Sequence, residues 1–202
     1  LLHIRENVSP EEKFIARQFG KEYFDGPRRL GLGGYYYDPK YFTKVVKDFI
    51  NYYKLGQNSK ILDVGCGKGF MMKDFQDALP DAEILGLDIS QYCYENAMPQ
   101  VKKNISIGSC DKLPYPDRYF DLVISIATIH NLDKEGVKKS ISEINRVGKG
   151  NSFIKINGYR NLQEKTNLEK WNLVAKTILS VNDWLLLFDE LGYNGEYSFF
   201  ST

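Results

Sequence analysis

The 202 residues, 43% hydrophobic, 14% aromatic and 26% charged, hold enough apolar material for one α/β core and too much for a disordered, collagen-like or coiled-coil chain. Net charge is +1, split as +4 over residues 1–60, −4 over 61–130 and +1 beyond, so no basic block points to tight binding of a polyanion. No apolar run nears the roughly 20 residues that span a bilayer, and the opening LLHIREN lacks the order of a secretory signal; a cytoplasmic protein without membrane contact is expected.

In chain order, Ser9-Pro10-Glu11-Glu12 opens a first helix with an N-cap, a proline at the first helical position and acid in the first turn. A glycine- and tyrosine-rich loop follows. Asp38-Pro39 then opens a second helix, with Phe42, Val45, Val46, Phe49, Ile50 and Tyr53 on one face and Gly56 as its stop. From residue 60 short apolar runs alternate with helical stretches: KILDV, AEILGLD, ISIG, FDLVISIA and SFIKING. That alternation predicts βαβ units and a parallel sheet. Helices are predicted over 91–98 after Ser90 and over 134–147 between Asp133 and Gly148. An inserted helix is predicted within 161–178, from the stripe Leu168, Trp171, Val174, Ala175 and Ile178. Ser180 opens a last helix that Gly192 closes, and a strand over 195–200 is expected at the sheet edge. The expected organisation is one domain over 1–202: a helical and lid segment (1–57), a cofactor-binding core (58–160), and an inserted helix, last helix and edge strand (161–202). Cys66, Cys93 and Cys110 form neither a disulfide framework nor a metal-ligand spacing, so free thiols and no metal are expected.

The stretch ILDVGCGKG carries the most chemistry. A buried strand running into a glycine turn and a helix lets backbone approach a ligand and aims helix N-terminal amides at it. A dinucleotide site wants G-x-G-x-x-G, whereas Gly65, Gly67 and Gly69 read G-x-G-x-G. Asp63, two residues before the first glycine, would repel a pyrophosphate and suit a cationic amino group. Nineteen residues after Gly69, Asp88 ends the next strand, where a short carboxylate accepts from two ribose hydroxyls. A nucleoside with a positively charged tail fits both acids.

These motifs resemble the class I S-adenosylmethionine-dependent methyltransferases over roughly residues 40–200. ILDVGCGKG is similar to that family's first motif, GLDIS to its second, and GSCDKLPYPDRYFDLVIS to the stretch around its third and fourth strands. The resemblance implies a Rossmann-like, doubly wound, mostly parallel sheet with helices on both faces and an N-terminal helical extension. It implies S-adenosyl-L-methionine as cofactor, with Gly65, Cys66, Gly67 and Gly69 at its methionine and ribose portion. Asp63 would hold the amino group through water, Asp88 the ribose hydroxyls, and Ile89 would pack on adenine. Ser125, at the end of the fourth strand, joins this set. Many relatives place an acid where Ser109 stands, so Ser109 and the Cys110 amide are expected to meet the adenine edge with less charge assistance.

Methyl transfer needs chiefly an aligned acceptor, and orientation contributes on the order of 7–11 kcal/mol. His130, just past the fourth strand, is the candidate base because its ordinary pKa lies near neutrality. Thr128 and Asn131 are candidates to orient an acceptor. In the glycine-tyrosine loop, Tyr35-Tyr36-Tyr37 suits a lid, with Tyr37 as the second candidate catalytic residue. Tyr159-Arg160 could meet an acidic part of a substrate. No Asn/Asp-Pro-Pro-Tyr, Pro-Cys or magnesium-type acid cluster is present. The expectation is O- or N-methylation of a small polar molecule by a monomer or homodimer. Alternatives are a tRNA or RNA methyltransferase, nucleic acid being the less favoured partner, and a non-catalytic cofactor-binding subunit.

Overall fold

The computed structural model describes residues 8–201, so the reading of LLHIREN, with His3, falls outside the described residues. Six strands form one sheet: β1 (Lys60–Val64), β2 (Glu83–Asp88), β3 (Ile105–Ile107), β4 (Leu122–Ile126), β5 (Ser152–Asn157) and β6 (Glu196–Phe200). Every pairing is parallel, in the order β3-β2-β1-β4-β5-β6. Because β2 leaves β1 on one side and β4 joins it on the other, the strand order reverses beside β1. That reversal opens a crevice at the carboxyl ends of the strands, where ligands bind in open α/β sheets.

Eight helices cover the described residues: α1 (Pro10–Ala16), α2 (Lys21–Phe24), α3 (Pro39–Tyr53), α4 (Phe70–Ala78), α5 (Gln91–Glu95), α6 (Lys134–Val147), α7 (Leu162–Trp171) and α8 (Val181–Glu190). Central strands bury both faces, and two cores result. Leu62, Val64, Val123 and Ile154 pack on Ile141 and Ile144 of α6 and on Trp184 and Phe188 of α8. Ile61, Ile84, Leu122 and Ile124 pack on Val46 and Phe49 of α3 and on Met72 and Phe75 of α4. At about 25 cal/mol per Å² of apolar surface, each fully buried Leu or Ile contributes roughly 1.5–3 kcal/mol.

Local differences from the sequence expectation have local causes. Ser9 makes the expected cap: its Oγ accepts from the Glu12 amide, and the Glu12 carboxylate accepts from the Ser9 amide at 2.8 Å. The segment up to residue 57 holds a third, one-turn helix, α2. α3 ends at Lys54, in the left-handed conformation, before Gly56 is reached. Val45 sits at the edge of its apolar face, 37% exposed. α5 stops at Glu95, three residues short of the predicted end. α7 stops at Trp171, because the Asn172 side chain accepts from the Ala175 amide (2.8 Å) and donates to its carbonyl (2.7 Å). Such local bonding competes with the helix. Leu173, Ala175 and Thr177 are then buried alternately, as in extended chain.

Candidate active site

β1 delivers the chain into a turn in which Gly65 (φ 84°), Gly67 (φ 55°) and Gly69 (φ 76°) are all left-handed, a conformation only glycine adopts freely. The Gly65 and Cys66 amides donate to the Leu87 carbonyl at 2.7 and 3.2 Å, tying the turn to β2. A Cβ on Gly65 would lie 1.9 Å from Thr128 Oγ1, and one on Gly67 would lie 2.9 Å from the Tyr35 ring. Backbone and lid therefore meet at van der Waals distance.

The two acids stand side by side at this turn. Asp88 Oδ2 accepts from the Gly67 amide (2.7 Å) and Oδ1 from the Ser90 amide (2.8 Å), which fixes its carboxylate while leaving lone pairs for hydroxyl donors. Burial raises its pKa against the pull of those amides. Asp63, only 6% exposed, has no hydrogen bond to its carboxylate among the described residues. Burial, then the neighbouring Asp88, push its pKa up to about 7. A buried carboxylate without a partner calls for a cation, and the amino group of an amino-acid tail would supply one.

A cavity of about 580 Å³ opens over the turn, a size that suits a nucleoside-sized ligand. Its walls include Gly65, Gly67, Asp88, Ile89, Ser109 and Cys110. Ile89, 55% exposed, offers a flat apolar lip at the end of β2. Ala127, Thr128 and Asn131 form the opposite wall past β4, with Ala127 held at φ 55°. A larger, mainly apolar cavity of about 860 Å³ lies between α3 and the β4–β6 face. It shares Phe42 and Ile126 with the smaller cavity but is lined by neither the glycine turn nor Asp88, and the smaller cavity is the one at the switch point; Asp63 lies buried and lines neither.

Other sequence-predicted residues lie elsewhere. Cys66 is turned inward, its thiol within reach of Gly86, and burial raises its pKa further above the ordinary thiol value. Ser125 is buried, with an Oγ that has no partner among the described residues, and it does not line the cavity. Gly69 caps α4 and faces Val101.

The sequence reading put His130 in the crevice; the structure places its ring beneath the loop, 5% exposed and edge-on to Phe200. Burial lowers its pKa to about 4, and its carbonyl accepts from the Lys176 and Thr177 amides, so it braces this wall from behind. Tyr37 likewise leaves the cavity. Its hydroxyl donates to Asp74 on α4 and accepts from Lys73 Nζ at 3.2 Å. Tyr159 and Arg160 lie past β5, where Arg160 pairs with Glu164 at 3.7 Å.

Sequence reasoning expected a lid in the glycine-tyrosine loop but missed which tyrosine closes it and how it is anchored. Tyr35, not Tyr37, lies over the glycine turn, and burial, then Asp63, push its phenol pKa well up. Asp25 accepts from Lys68 Nζ (2.6 Å), the Tyr92 hydroxyl (2.6 Å) and the Tyr35 amide (2.8 Å). Burial opposes ionisation there, but these donors hold Asp25 below the usual carboxylate range. The Ser90 hydroxyl donates to the Phe19 carbonyl at 2.6 Å, pinning the roof beside Asp88. Lys68 inside the turn was the one available signal, since a buried lysine requires an acid.

Comparison with known proteins agrees with this geometry. A family model described as a methyltransferase domain matches residues 62–156. A tRNA (carboxymethyluridine(34)-5-O)-methyltransferase of Arabidopsis thaliana is 32% identical over 133 residues, 65% of this chain and 31% of that protein. Phosphoethanolamine N-methyltransferase 3 of the same plant is 32% identical over 101 residues, 45% of this chain and 20% of that protein. The chain thus spans only a fifth to a third of the length of these two curated relatives. A solved SAM-dependent methyltransferase from Archaeoglobus fulgidus superposes with a TM-score of 0.60 at 21% identity, covering 77% of this chain and 69% of that one, which shows the shared fold.

Proposed function

Because the chain belongs to the class I S-adenosylmethionine-dependent methyltransferase family, we propose that it binds S-adenosylmethionine over the glycine turn and methylates an oxygen or nitrogen of a small polar molecule. The observation that carries this reading is the pairing of a partnerless buried carboxylate, Asp63, with the amide-anchored Asp88 across a turn that no side chain could enter. Asp63 would hold the amino group and Asp88 the ribose hydroxyls. Ile89 would cover adenine, with Ser109 and the Cys110 amide at its edge. The cofactor supplies an electrophilic methyl group on a sulfonium.

Around it the chain's own residues align and exclude water. Tyr35 and Phe24 close the roof, and Thr128 and Asn131 meet the acceptor from the β4 side. His130, neutral and buried, keeps that loop in place, and Tyr37 anchors the lid to α4. This arrangement methylates by positioning more than by proton abstraction.

An RNA acceptor is the second reading, favoured by the Arabidopsis relative named for a tRNA uridine. Incubation with methyl-labelled S-adenosylmethionine, a metabolite extract and bulk tRNA separates the two. Label in the small-molecule filtrate supports the first reading, label on tRNA the second. Cofactor binding with label in neither fraction would point to a non-catalytic subunit.

A further inference from the structure

Two cations that form no ion pair among the described residues line the same cavity. Arg17, the residue closing α1, and Lys176, in the extended stretch after α7, are both among its walls. Arg17 Nε is buried and has no hydrogen-bond partner, an arrangement that costs free energy unless a ligand completes it. Asn131, on the β4 side, lines the cavity too; its Nδ2 donates to the Ala127 carbonyl at 3.3 Å, and its Oδ1 is buried without a donor. The Lys176 amide donates to the His130 carbonyl at 3.1 Å, so Lys176 and Asn131 belong to one wall.

Charge counting says what is missing. Asp88 and the cations Arg17 and Lys176 line the cavity, and Asp63, buried within electrostatic reach of Asp88 without lining it, brings the count to two carboxylates and two cations. S-adenosylmethionine adds two positive centres, sulfonium and ammonium, and one carboxylate. One positive charge remains unmatched, and its cost falls mainly on the half-buried Arg17, since Lys176 is exposed. A neutral acceptor leaves it so; an acceptor with one anionic group cancels it.

Resting on the cofactor reading above, we propose that the methyl acceptor is a small molecule carrying an anionic group, carboxylate or phosphate, gripped by Arg17 and Lys176. Its hydroxyl or amino group is presented to Asn131. The guanidinium fork suits either oxyanion, with the lysine adding a point charge. Neither cation belongs to the glycine motif, and Lys176 lies in a stretch the sequence places on a helix.

The test uses the protein saturated with S-adenosylmethionine, which supplies the sulfonium of the charge count; cofactor-site binding is first measured by calorimetry with S-adenosylhomocysteine. Acetate labelled with carbon-13 and inorganic phosphate are then titrated separately and followed by line broadening. The expected result is saturable binding of at least one anion to the loaded protein, weakened about ten- to hundredfold in both Arg17→Gln and Lys176→Gln. S-adenosylhomocysteine affinity should stay within about twofold in both variants, and the tighter of the two anions identifies the oxyanion. Normal cofactor-product binding with no saturable anion binding would overturn this inference alone. So would displacement of S-adenosylhomocysteine by the anions together with its weaker binding to Arg17→Gln, since Arg17 would then serve the cofactor's own carboxylate. A folded protein that binds no S-adenosylhomocysteine would overturn the cofactor reading as well.

Discussion

Replacing Asp63 by Asn should stabilise the ligand-free protein while weakening its ligand site. Asp63 is 6% exposed with a pKa near 7 against an ordinary 3.8, so the folded state holds its proton more tightly than the unfolded chain does. The sign follows: the contribution is fully present below about pH 4 and is lost as pH rises through about 7, because ionising Asp63 favours unfolding. About three pKa units at roughly 1.4 kcal/mol each gives a loss on the order of 4 kcal/mol, most of it between about pH 5 and pH 8. An asparagine stays neutral throughout and forgoes that loss. Urea unfolding of both proteins without ligand, at about pH 5 and pH 8, should show the advantage of Asp63→Asn widening by about 2–3 kcal/mol. At a few degrees per kcal/mol, the same shift would be plain in thermal midpoints. A difference that does not change with pH, or a variant less stable at pH 8, would refute the picture of an uncompensated carboxylate awaiting a cation.

Further outcomes follow from the same geometry. Gly65→Ala forces a side chain into a φ of 84° and to 1.9 Å from Thr128 Oγ1, so it should cost more than about 2 kcal/mol in thermal or denaturant unfolding and weaken S-adenosylhomocysteine binding. Lys68→Met leaves Asp25 without its cation, a loss on the order of 3 kcal/mol that should appear as faster proteolysis within residues 10–37. His130, with a folded pKa near 4, should stay neutral by NMR from about pH 5 upward. Its stabilising contribution is present above about pH 6.5 and is lost as pH falls toward 4, about 3 kcal/mol in all.

The floor of the site was legible because its demands are local. Three glycines at alternate positions, a carboxylate two residues before them and another closing the next strand need only the strand–turn–helix geometry to meet. The sheet was legible for a similar reason: KILDV and its counterparts are buried on both faces and alternate with capped helices. The anchoring of the roof was not. Asp25 and Lys68 are 43 positions apart, and no periodicity links them. Three consecutive tyrosines look alike in sequence, yet Tyr35 turns over Gly67 and Tyr37 turns to Asp74, a divergence that period-two alternation, which puts residues i and i+2 on one side, does not foretell. His130 read as a base on residue type alone. The 3₁₀ turn over Ile129–Asn131 buries Ile129 and His130 and leaves Asn131 at the cavity wall. Arg17 and Lys176 enter only through elements whose packing the sequence did not specify.

Calorimetric titration with S-adenosylhomocysteine across about pH 6 to 8 asks the most of the two-acid clamp. The clamp predicts one site per chain, an affinity that rises about tenfold as Asp63 loses its proton, release of that proton on binding near pH 6, and loss of this pH dependence in Asp63→Asn. Folded protein that gives no binding heat, or binding that Asp63→Asn and Asp88→Ala both leave unchanged, would contradict it.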